Sequence, residues 1–180
     1  MQNEALLVID VQKYFFSRRS KAYIKKSEIV LPKINILIEH FNKRCALIVF
    51  AKFTAPVKDN SMKSWWKHMP SSDEEDFAEG LLMPANSSVL LKESYSPFVN
   101  TNFHEMLKKR KIERIFFTGV MTHLCVESAV RDSFEKGYKT TVIEDCCMSN
   151  RKDLHVASIN IMRHGFSEIL HSADIVNEKV

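Results

Sequence analysis

Three side chains with complementary chemistry stand at comparable places along this sequence. Asp10 closes an apolar run, Lys92 closes another, and Cys125 follows a third, just beyond Thr118-Gly119. A carboxylate, an ammonium and a thiol brought to one rim would suit nucleophilic catalysis. The thiol would attack, with its thiolate favoured by a helix N-terminus and by the nearby lysine. Asp10 would take the thiol proton and later return it to a leaving group. Backbone N–H groups between Gly119 and Cys125 would hold an oxyanion. Spacing alone leaves this open, because a buried strand-end Asp and a free Cys are commonly structural.

The elements that would have to position these groups are legible as alternating patterns. Short continuous apolar runs at Glu4–Asp10, Cys45–Phe53, Ser88–Lys92, Ile112–Thr118 and Lys139–Ile143 read as buried strands, with Ser167–Leu170 a weaker sixth. Between them lie helical spacings. One is Val30, Ile34, Leu37, Ile38 and Phe41, with Ser27 as its N-cap. A second is Val99, Phe103, Met106 and Leu107. A third is Val126, Ala129, Val130 and Phe134, stopping at Gly137. The last is Leu154, Ala157 and Ile161, ending at Gly165, both glycines read as left-handed stops.

Strands that are apolar throughout, alternating with helices, predict a three-layer α/β/α fold around a mainly parallel sheet. In such sheets ligands bind beyond the carboxyl ends of the strands, which is where Asp10, Lys92 and Cys125 fall. Residues 54–87 carry three of the five prolines, Trp65-Trp66 and the acidic run Asp73–Asp76. They read as loops and short turns forming a wall or lid.

Composition narrows the class. The 180 residues are 45% apolar and 27% charged, as in an ordinary folded chain, and predict one domain over residues 1–180. The longest uncharged apolar run, Cys45–Ala51, is far below the ~20 residues of a membrane helix, and no basic, apolar leader precedes Asp10. A cytoplasmic location without membrane contact is therefore expected. Net charge is +4, from 26 basic and 22 acidic residues. The clusters Arg18-Arg19-Ser20-Lys21 and Lys108–Lys111 lack the aromatic interleaving or reading motif of a nucleic-acid binder and read as solvated faces. The four cysteines, 45, 125, 146 and 147, show no CxxC spacing. A disulfide framework is not expected, and a zinc site from His123, Cys125, Cys146 and Cys147 lacks the usual paired spacing.

Leu7-Val-Ile-Asp-Val-Gln12, Lys92 followed by Tyr95-Ser-Pro-Phe98, and Thr118-Gly-Val-Met-Thr-His-Leu-Cys-Val126 together resemble the isochorismatase-like cysteine hydrolases. That group includes nicotinamidases and N-carbamoylsarcosine amidohydrolases. The resemblance continues through Ala129–Asp132, Gly137-Tyr138 and Glu144–Cys146, and spans roughly residues 5–170. It implies a six-stranded sheet in the order 3-2-1-4-5-6, with Asp10, Lys92 and Cys125 as catalytic triad. It also implies a cis Val120–Met121 bond and an oxyanion hole from the Met121 and Cys125 amides. Phe15 matches a family aromatic and, with Trp66 and Tyr95, is expected to bind substrate. Trp65 and Trp66, adjacent in an extended segment, would not both line a pocket.

The departures refine this. The nicotinamidase Asp-x-His metal motif is replaced by Phe53-Thr-Ala-Pro-Val57, so no metal and no cofactor is expected. Isochorismatases that cleave a vinyl ether commonly lack the cysteine, so Cys125 favours cleavage of a C–N bond in a small amide, ureido or carbamoyl substrate. The family's Gly-rich segment is replaced by His68-Met-Pro-Ser-Ser-Asp73. A closed pocket there would instead leave a silent ligand- or partner-binding member, and a vinyl-ether hydrolase or a redox sensor at Cys125 are further alternatives. The resemblance also implies a homo-oligomer, a dimer or tetramer.

Overall fold

The computed structural model describes residues 3–177. Six strands form one sheet, with every pair parallel, in the order β3-β2-β1-β4-β5-β6. They are β1 (Glu4–Ile9), β2 (Leu47–Phe53), β3 (Ser88–Lys92), β4 (Arg114–Val120), β5 (Lys139–Met148) and β6 (Glu168–Leu170). The helices are α1 (Lys13–Phe16), α2 (Leu31–Lys43), α3 (Ser61–Trp65), α4 (Phe103–Lys109), α5 (Glu127–Glu135), α6 (Lys152–Gly165) and α7 (Ser172–Val176).

Alternation along β1 explains the three layers. Ala5, Leu7 and Ile9 join one core, packed with Phe103 and Leu107 of α4, Ala129 and Val130 of α5, and Ile159 and Met162 of α6. Leu6 and Val8 face the other side, against Ile34, Leu37, Ile38 and Phe41 of α2 and Ile175 of α7. A strand buried on both faces has no room for polar alternation, which is why its sequence reads as an unbroken apolar run.

Several boundaries differ from the sequence reading. Cys45 lies in the turn after α2 with φ 54° and is exposed, so β2 begins at Leu47. The fourth strand is displaced to Arg114–Val120, and the fifth runs on to Met148 past the polar pair Glu144-Asp145. Ser27 opens a 3-10 turn and donates its hydroxyl to the Phe15 carbonyl instead of capping α2. Gly137 has φ 86° and ends α5 as expected; α6 does end at Gly165, but that glycine is helical and not left-handed, and Phe166 caps the helix. Val99, Phe134 and Ile161, read as inward-facing, are exposed. The α6 inner face carries Ser158 instead, a small polar residue whose hydroxyl has partners below it.

Among the described residues no helix is long and apolar enough to cross a membrane.

Candidate active site

The sheet order puts β1 between β2 and β4, with Ile9 paired to Ala51 on one side and Gly119 on the other. Asp10 is the first residue past β1. It takes a left-handed φ of 53°, which Asp tolerates better than most residues, and its N–H is held by the Ala51 carbonyl at 2.9 Å. On the other flank Gly119 has φ 115°, and a Cβ there would sit 2.0 Å from the Ile9 carbonyl oxygen. Only glycine lets β4 pass this close to β1, which brings the segment that follows β4 up to Asp10.

That segment is a π-helical turn, Thr122–Val126, preceded by a cis Val120–Met121 peptide and running into α5. Cys125 lies within this turn and is 5% exposed. The turn is fastened from α6. Thr122 Oγ1 lies 2.8 Å from His155 Nδ1, and Ser158 donates to the Thr122 carbonyl and to Glu127 Oε2 at 3.2 and 2.6 Å. His123 Nδ1 is 2.9 Å from Ser149 Oγ. None of these fastenings was read from the sequence.

Lys92 ends β3, one strand beyond Asp10's neighbour, and its side chain crosses above Phe53, whose ring centre is 5.3 Å from Nζ. The ammonium spends its three donors on Asp10 Oδ2 at 2.8 Å, the Ser94 carbonyl at 3.0 Å and Cys125 Sγ at 3.6 Å. The Lys92 and Asp10 side chains are both wholly buried. Asp10 Oδ1, also buried, has no hydrogen-bond partner among the described residues. The structure thus brings together the three residues singled out by the sequence, with one carboxylate oxygen paired and the other free to accept a proton.

The electrostatics correct one expectation. Burial pushes the Cys125 thiol well above its usual range, and the Asp10 charge pushes it further; Lys92 offsets only part of this. The direction favours the protonated thiol, whereas the helix dipole and the lysine alone would favour thiolate. Burial also raises Asp10, against the pull of Lys92, making it a stronger base. Burial works against the Lys92 charge, but Asp10 and the Cys125 sulfur hold its pKa above the ordinary value.

Above Cys125 opens a cavity of about 440 Å³, within the range of ligand sites. Its lining includes Cys125, Met121, Phe15, Trp66 and Tyr95, and Trp66 Nε1 donates to the Tyr95 hydroxyl at 2.7 Å. Trp65 also lines it, contrary to expectation, because the pair sits at the end of α3 and not in an extended strand. His68 and Met69 contribute to the wall, so the altered 68–80 segment borders the cavity without closing it.

The acidic run that follows has a fixed role. Lys13 pairs with Asp73 and Asp76 at 3.0 and 3.1 Å, and Glu75 Oε1 accepts the Ala55 N–H at 2.8 Å. Buried Gln12 ties the strand ends together: its amide donates to the Phe53 and Glu75 carbonyls and accepts from the Phe53 N–H, each at 2.8 Å. A polar residue inside Asp-Val-Gln was the sequence signal for it. Phe53–Val57, where the nicotinamidase metal motif would lie, offers no carboxylate or imidazole, and among the described residues no group of three His, Cys, Asp or Glu is arranged to hold a metal ion. A resident metal does not fit this donor set.

The Isochorismatase domain family model matches residues 4–174. A crystal structure of a cysteine hydrolase from Pseudomonas syringae pv. phaseolicola is similar with a TM-score of 0.91 at 18% identity, covering 97% of this chain and 91% of that one. N-carbamoylsarcosine amidase from Thermoplasma acidophilum gives a TM-score of 0.85 at 20% identity, covering 99% and 98%. In sequence the chain is 23% identical over 175 residues to a probable inactive nicotinamidase of Arabidopsis thaliana, covering 91% of this chain and 89% of that protein.

Proposed function

The chain belongs to the isochorismatase family of hydrolases, and from that premise we propose that it is a cysteine-dependent hydrolase cleaving a C–N bond in a small amide, ureido or carbamoyl compound. The whole chain would act as one domain, since both cores are built on the same sheet. The observation that carries the reading is the bridge made by Lys92 Nζ, 2.8 Å from Asp10 Oδ2 and 3.6 Å from Cys125 Sγ, beneath an aromatic-walled cavity. The names of two similar proteins, a cysteine hydrolase and an N-carbamoylsarcosine amidase, point to the same chemistry.

In this mechanism Asp10 Oδ1 takes the Cys125 proton as the sulfur attacks the substrate carbonyl carbon. The proton moves only as the S–C bond forms, which suits a buried thiol that is not ionised at rest. The tetrahedral oxyanion is held by the Met121 and Cys125 amides. As the C–N bond breaks, Asp10 gives its proton to the departing nitrogen, which leaves as ammonia or an amine, and a thioester remains. Asp10 then takes a proton from water, the hydroxide oxygen bonds to the thioester carbon, and the sulfur departs and recovers its proton from Asp10. Lys92 stays charged throughout and keeps Asp10 ionised between proton transfers. Phe15, Trp66 and Tyr95 bind the body of the substrate.

The test is ammonia release from a panel of small amides and carbamoyl compounds. Cys125→Ala and Asp10→Asn should each lower turnover by more than about 10³-fold while retaining the parent far-UV spectrum. Ammonia release retained by either variant overturns the mechanism. The silent-member reading, which the Arabidopsis relative's name keeps in view, needs a closed pocket, and the open cavity over Cys125 weighs against it.

A further inference from the structure

The cavity over Cys125 is graded from floor to mouth. Phe15, Phe53, Met62 and Cys125 are buried at its floor and walls, whereas Lys21 and Lys67 are exposed at its opening. No Asp or Glu is among its lining residues. Among the described residues neither lysine forms an ion pair. Glu74, which feels the Lys21 charge, has its carboxylate engaged by the Ser71 N–H and hydroxyl at 3.0 and 3.1 Å. In the basic run 18–21, Arg18 is spent on Glu28 at 3.2 Å, which leaves Lys21 as the member of the run that faces the cavity. The mouth thus carries two ammonium groups, Lys21 and Lys67, with the charged Glu74, outside the lining, offsetting part of the Lys21 field, while no carboxylate lines the cavity itself.

Resting on the hydrolase reading above, we propose that the substrate is a flat amide or carbamoyl compound carrying a carboxylate at the end remote from the scissile carbonyl, with Lys21 and Lys67 as specificity-determining residues. The scissile carbonyl must reach Cys125 at the floor, so an extended substrate places its far end at the mouth. A negative group there meets two unpaired ammonium groups and stays in contact with water, so it is not desolvated on binding. A positive group would meet like charge. Exposed pairs of this kind each change an equilibrium constant by about 1.5- to 5-fold, so the preference is moderate and sensitive to salt.

The chain has two tryptophans, and both line this cavity, so intrinsic fluorescence reports on it without background from elsewhere. The Cys125→Ala protein, which does not turn over, is titrated with three matched probes: 4-carbamoylbenzoate, benzamide and 4-(aminomethyl)benzamide. The expected order of affinity is carboxylate, neutral, ammonium, with the carboxylate about 5-fold tighter than benzamide at low ionic strength. The gap should close at about 0.5 M salt, where the Debye length falls to about 4 Å. Adding Lys21→Glu and Lys67→Glu, both at exposed positions, should reverse the order. Equal quenching by the three probes, no quenching by any, or an order unchanged in the charge-reversed protein overturns the proposal. Because binding is read without turnover, failure of the charge preference is separate from failure of ammonia release.

Discussion

Lys92 Nζ lies 2.8 Å from Asp10 Oδ2 with both side chains shut off from water. A buried ion pair contributes little net stability when intact, but removing one partner leaves an uncompensated charge, at a cost of about 3–5 kcal/mol. Lys92→Met should therefore lower the unfolding free energy by about that much in denaturant titration. Lys92→Met combined with Asp10→Asn should cost well under the sum of the two single changes, because neither charge is then stranded. Additive costs would mean the two groups are not coupled. The sign with pH follows from Lys92. Its pKa is raised above the ordinary 10.5, so the Lys92 contribution is intact below pH 10.5 and is lost as pH climbs through the folded value, whereas Asp10, raised from 3.8 by burial, carries the opposite sign in the acid range.

The Cys125 thiol is pushed up first by burial and then by the Asp10 charge, with Lys92 opposing. Alkylation by iodoacetamide, which reads the thiolate, should accordingly be slow at neutral pH in the parent. Asp10→Asn removes the carboxylate and leaves the ammonium, so labelling at Cys125 should become faster even as hydrolysis disappears. Lys92→Met should make it slower. Labelling rates from peptide mass spectra against pH decide this, and a slower rate in Asp10→Asn would contradict the assignment of Asp10 as the group that raises the thiol.

Most of the fold was legible because strands buried on both faces are written as apolar runs and their ends are marked by Asp10 and Lys92. What the sequence hid was of three kinds. Exposed apolar residues such as Phe134 and Ile161 keep helical spacing without being core, since helix pattern does not record which stripe the sheet occupies. The burial that raises the Cys125 thiol was also hidden, because a dipole and a lysine count in any sequence but burial counts only in three dimensions. The roles of His155 and Ser158 depend on contacts between residues far apart in the chain, which no local pattern encodes.

His155 and His123 both touch the turn that carries Cys125, through Thr122 and by direct membership. Burial lowers both below the ordinary 6.5, with nearby Glu144 and Glu127 only partly opposing. A depressed histidine is neutral in the fold and protonated in the unfolded chain. Its contribution is present above pH 6.5 and is lost as pH falls below it. Melting temperature should thus drop between about pH 8 and about pH 5, and the drop should be smaller in His155→Gln, which keeps a polar partner for Thr122 but cannot titrate. An equal drop in both proteins would remove His155 from the account.

Gly119 supplies the sharpest test of how the site is held. A Cβ there would lie 2.0 Å from the Ile9 carbonyl oxygen and 2.7 Å from the Ile9 nitrogen, both rigid backbone atoms in the adjacent strand. Gly119→Ala must therefore push β4 off β1 as well as pay for φ 115°, and should cost about 3 kcal/mol or more in denaturant titration. Gly137 makes the comparison fair, since its φ is 86° and a Cβ would meet nothing within 4 Å. Gly137→Ala should cost only about 1–2 kcal/mol, the conformational penalty by itself. Because Ile9 precedes Asp10 and Gly119 leads into the Cys125 turn, the first substitution should also depress turnover in whatever fraction stays folded, and the second should not. Similar losses in the two variants would mean that β1 and β4 can separate without disturbing Asp10 and Cys125, and that the close crossing is not what aligns them.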